Sequence, residues 1–80
     1  MIRRNNSPTL GELRRAQGKT QREIGEALGV TNKTVSLWEL GKDEPHLTPF
    51  QMLRMMELYG CETLEELAMA VAASLKQAKD

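Results

Sequence analysis

"GKTQREIGEALGVTNKTVSLWELGK", residues 18–42, reads as two short amphipathic helices separated by a single glycine. Thr20-x-x-Glu23 is a capping box: the threonine hydroxyl accepts a backbone N–H three residues on, and the glutamate returns the favour to the threonine's own N–H. Ile24 and Leu28 then fall one turn apart on a core face, and Gly29 stops the helix. Thr31 caps a following helix that turns Val35 and Trp38 inward and closes at Gly41. Only Gly29-Val30-Thr31 lie between the two, so the helices must cross steeply. Gly29 supplies the left-handed conformation that ends a helix. Val30 fills the corner, and Gly25 has no side chain to keep the second helix away. One feature resists a purely structural reading. Asn32-Lys33-Thr34 is a polar opening where a buried helix would carry apolar residues.

The same punctuation recurs outside this stretch. Ser7-Pro8 reads as an N-cap with proline in the first helical position, and Leu10, Leu13 and Ala16 share a face before Gly18. Thr48-Pro49-x-Gln51 opens a fourth helix that ends at Gly60, and Thr63-x-x-Glu66 opens a fifth that runs to the C-terminus. Lys42 to Leu47, KDEPHL, is the longest connection, and Pro45 keeps the third helix from continuing. No segment alternates apolar and polar residues for long enough to form a strand. The chain reads as an all-α domain of five short helices: an N-terminal arm at 1–7, one domain over 8–80, and the two-helix motif at about 20–41.

Eighty residues allow one hydrophobic core. The single Cys61 excludes an internal disulfide and a cysteine metal cluster, and it suits a reducing, cytoplasmic setting. The opening MIRRNNSP has no apolar run, so it does not read as a secretion signal. Nothing approaches the roughly 20 apolar residues of a membrane span. His46 has no ligand pattern around it, so no metal is expected. Glu65 and Glu66 sit in a first helical turn, where carboxylates favour the helix dipole. No phosphate loop, nucleophile elbow or zinc signature is present, so neither an enzyme nor a cofactor is expected. The formal charge is zero, but residues 1–38 carry seven Lys/Arg against three Glu, and residues 39–80 carry four against eight Asp/Glu. A chain split this way can present one basic and one acidic face.

"TQREIGEALGVTNKTVSLWELGK" resembles the helix-turn-helix of the phage repressor/Cro-like, or XRE-type, family. The matching positions are Gln21, Ile24-Gly25, Gly29, Val30, Thr31, Val35 and Trp38-Glu39-x-Gly41, and the likeness extends over about residues 9–67. It implies a compact, five-helix, lambda-repressor-like domain that binds double-stranded DNA. Helix three would lie in the major groove and helix two would brace it. The pattern departs at Leu37 and Leu40, where relatives often carry polar or basic residues.

On this motif Gln21 is expected to hold a DNA phosphate, while Asn32 and Lys33 reach base edges or phosphates. Thr31, Thr34 and Ser36 are weaker candidates at the same surface. Leu37 either touches a thymine methyl or sits at the edge of the core. Arg14 and Glu39 match positions that form a partly buried ion pair in related repressors. Met52, Met55, Met56 and Met69 read as flexible core or interface packing. Leu64, Leu67, Ala68, Val71 and Leu75 form the packing face of helix five, and Met69, Ala70, Ala72 and Ala73 widen it. A stripe this broad points to a homodimer through the C-terminal helix, with Phe50 or Met55 contributing. The expected function is a sequence-specific transcriptional regulator. Its alternatives are an antitoxin with a toxin partner, or a protein-only interaction module.

Overall fold

Among the described residues, five threonines open five helices. The computed structural model describes residues 7–79, with side chains to residue 77. Its elements are α1 (Leu10–Ala16), α2 (Gln21–Leu28), α3 (Asn32–Glu39), α4 (Pro49–Tyr59) and α5 (Leu64–Lys79). Thr9, Thr20, Thr31, Thr48 and Thr63 immediately precede them, and each hydroxyl accepts a backbone N–H from the first turn. No strand occurs among the described residues. No described helix is long and apolar enough to cross a membrane.

The start of α1 differs from the Ser7-Pro8 reading. Thr9 is the cap: its N–H donates to Glu12 Oε1 at 2.9 Å, and its hydroxyl accepts the Glu12 N–H. A reciprocal threonine–glutamate pair satisfies two backbone donors, whereas Ser7 ahead of Pro8 could satisfy only one. Residues 1–6 of the expected arm lie outside the described residues. The box before α5 is also altered. Thr63 accepts the Glu66 N–H, but the Glu66 carboxylate takes the N–H of Glu62 at 2.7 Å.

The core is filled by Leu10 from α1, Ile24 and Leu28 from α2, Val35 and Trp38 from α3, and Met55 and Tyr59 from α4. Met55 is 1% exposed, so it belongs to the core and cannot contribute to a dimer surface. Gln51 ties two elements together. Its amide donates to the Leu28 carbonyl at 3.0 Å, fixing the start of α4 against the end of α2.

Helix α5 is rotated from the expected packing face. Leu67, Ala70 and Ser74 are buried, while Leu64 is 52% exposed and Ala68 is also outside. The small residues decide this. Ser74 lies under the beginning of α1, accepts the Leu10 N–H at 3.0 Å and donates to the Ala70 carbonyl at 3.0 Å. Leu10 is the first residue of α1, so its N–H has no partner within its own helix. A leucine at the position of Ser74 would fill the space and leave that donor unpaired.

Candidate nucleic-acid interface

The turn between α2 and α3 is built on two glycines. Gly29 has φ +77°, and the Val30 N–H closes the helix end on the Gly25 carbonyl at 2.9 Å. Gly25 faces the turn itself. A Cβ there would stand 2.7 Å from the Val30 carbonyl oxygen and 3.3 Å from the Thr31 carbonyl carbon. The two helices therefore approach at backbone distance, which sets how far the first turn of α3 projects.

At that projecting end Asn32 and Lys33 are exposed. Thr34 and Ser36 are partly buried. Thr31 works inside the cap: its hydroxyl accepts the Thr34 N–H at 3.0 Å and lies 2.9 Å from the Thr34 hydroxyl. These two hydroxyls thus engage each other. Asn32 has its full amide, and Lys33 its ammonium, directed away from the core. Leu37 is partly exposed one turn beyond Lys33.

Behind this surface, one carboxylate collects side chains from three other helices. Arg14 of α1 forks onto Glu39, with Nε to Oε2 at 2.7 Å and a second guanidinium nitrogen to Oε1 at 3.0 Å. The remaining guanidinium edge donates to the Lys19 carbonyl at 2.9 Å. Gln21 of α2 donates to Glu39 Oε1 at 2.9 Å, and the Tyr59 hydroxyl of α4 makes a long contact of 3.4 Å to Oε2. Both members of the ion pair are largely removed from water, at 12% and 7% side-chain exposure. The forked bond to Glu39 raises the Arg14 pKa further, against the opposing effect of burial. Gln21 is therefore partly committed to bracing α3 from behind. Its carbonyl and second amide hydrogen have no partner among the described residues.

Tyr59 offers a direct check on this arrangement. Burial first, and then the neighbouring Glu39 charge, push its phenol well above the ordinary 10.0. The native state thus holds a proton that the unfolded chain releases near pH 10. Stability should accordingly be unaffected below that pH and fall as pH rises past it. Tyr59 is the sole tyrosine, so tyrosinate absorbance reports it alone. The signal should appear together with unfolding. Ionisation near pH 10 with Trp38 fluorescence still native would contradict the burial of the phenol.

Among the residues singled out from sequence, the structure brings Arg14, Gln21 and Glu39 into one network, leaves Asn32 and Lys33 exposed at the start of α3, and leaves Leu37 partly exposed one turn beyond Lys33. One contributor had no sequence signal. Tyr59 reaches Glu39 from α4, which only the tertiary packing determines. Leu40, named above as a departure from the family pattern, caps the end of α3 and is 49% exposed. A family model described as helix-turn-helix matches residues 10–67. No match was found among curated proteins or solved structures.

Proposed function

Because the chain belongs to this XRE-type helix-turn-helix family of DNA-binding regulators, we propose that it binds a pseudo-palindromic operator as a homodimer. The observation that carries this reading is the exposed Asn32-Lys33 pair at the projecting end of α3. Asparagine pairs bidentately with adenine, and lysine donates to guanine or to phosphate. Gln21, held against Glu39 at the far end of α3, takes a phosphate with the amide edge that Glu39 leaves open. A second copy covers the outer side of α5, where Leu64 and Met69 are 52% and 45% exposed. The two copies of α3 then address half-sites one DNA turn, about 10 base pairs, apart.

The test is selection of bound duplexes from random DNA at stated salt, because affinity without ionic strength has no fixed meaning. Asn32→Ala should cost about 1–3 kcal/mol of binding and relax preference at one base position. Gln21→Ala should weaken every sequence alike, since a phosphate carries no base information. If both variants lost affinity equally on all duplexes, base reading by Asn32 would be wrong although DNA binding survived. Light scattering that found only monomer at tens of micromolar would remove the dimer.

A second reading is favoured by Phe50 and Leu53, which are 84% and 58% exposed on α4. An uncovered aromatic of this size suits a protein partner, as an antitoxin would have. Co-purification with a toxin encoded beside it would support that role.

A further inference from the structure

The base-reading side of α3 is half apolar. Val35, Trp38 and Glu39 are its buried residues. At about 100° per residue, the direction opposite them is occupied by Lys33, Leu37 and Leu40, with Ser36 beside them. Leu40 is 49% exposed and Leu37 partly exposed, yet neither belongs to the core cluster or to the side chains packed on it. The hydroxyls that could have read bases nearby, on Thr31 and Thr34, are engaged with each other. Past Lys33 the Ser36 hydroxyl, at the margin of this side, is the hydrogen-bonding group the helix still offers beside its leucines.

A leucine entering the major groove meets one apolar group on the base edges, the thymine C5-methyl. Resting on the DNA-binding role proposed above, we infer that Leu37 is a thymine-methyl reader, with Leu40 extending the apolar contact toward the groove wall. Leu37 lies four residues, or about 6 Å along the axis, beyond Lys33. That distance is close to two base steps of about 3.4 Å. The methyl it reads stands roughly two base pairs from the position addressed by Asn32 and Lys33. The half-site then has two parts: a hydrogen-bonded base at the helix entry, and a thymine required for its methyl group alone.

The experiment replaces each thymine of a selected operator, one at a time, with deoxyuridine, which keeps every hydrogen-bonding group and lacks the methyl. The wild-type protein should lose roughly fourfold in affinity at one such position per half-site, the equivalent of about one buried methyl group. Leu37→Ala should bind thymine and deoxyuridine equally there, while keeping its response to changes at the Asn32 position. Leu37→Gln, checked with Leu37→Ala for native helix content by circular dichroism, repeats the comparison with a polar side chain. The deoxyuridine scan of the wild type needs no variant at all, so a misfolded variant cannot shelter the proposal. Wild-type binding indifferent to every deoxyuridine would overturn methyl reading and leave DNA recognition intact. Sensitivity that persisted in both variants would take the role away from Leu37. Failure to select any duplex would overturn this inference together with the reading beneath it.

Discussion

Glu39→Ala should cost about 3–5 kcal/mol of folding stability, the range for stripping one partner from a buried ion pair. The loss exceeds a single contact because Arg14 keeps its charge and its burial. Its side chain is 12% exposed and would retain only the Lys19 carbonyl as acceptor. Gln21 would lose its bond to Glu39 as well. An 80-residue domain has on the order of 4–12 kcal/mol of stability in total, so this one substitution should bring it near unfolding at ambient temperature. Urea titration followed by Trp38, the only tryptophan and the neighbour of Glu39, gives the measurement. Replacing both Arg14 and Glu39 by methionine should be far milder than Glu39→Ala, since no charge is left without a partner. A cost for Glu39→Ala below about 1 kcal/mol, the value of an exposed pair, would mean that the network contributes little to the fold.

Gly25→Val is expected to have the next largest effect, and to act on binding as well as on stability. The added Cβ meets backbone atoms, not the flexible end of a side chain. Relief thus requires α2 and α3 to separate. Overpacking of this kind costs about 1–3 kcal/mol. The gain from removing a helical glycine offsets only a few tenths, because valine is itself a modest helix former. Moving α3 also changes how Asn32 and Lys33 are presented, so operator affinity should fall further than the folded fraction alone explains. Ala27→Val, at an exposed position on the same helix, supplies the control. If Gly25→Val melted and bound like that control, the close approach would not be what sets the angle of α3.

Much of this architecture could be read from local chemistry. The threonine caps and the glycine stops each act within a few residues, so a one-dimensional pattern contains them. Gly25 was legible for the same reason: only three residues separate its helix from the one it admits. The start of α1 was misread because Ser7-Pro8 and Thr9-Glu12 compete over three positions, and the pattern alone does not rank them. The face of α5 was misread for a different reason. Periodicity shows how wide an apolar stripe is, but the choice within it depends on which neighbour needs a small residue. Ala70 and Ser74 are buried because α1 comes close there, and that is a property of another element. Gln21 shows the same limit at the candidate site. Its place at the first turn of α2 was evident, but its bond to Glu39 depends on the crossing angle of the helices.

The bond from the Leu10 N–H to the Ser74 hydroxyl joins residues 64 positions apart. A chain emerging at roughly 5–20 residues per second therefore has its first helix waiting about three to thirteen seconds for the serine that completes it. The α2–α3 corner joins immediate neighbours, but its inner side chains pack on Met55 and Tyr59, which are made later. The first helix is locked down only when α5 arrives. Synthesis interrupted before residue 74 would release a chain whose first helix is left untied.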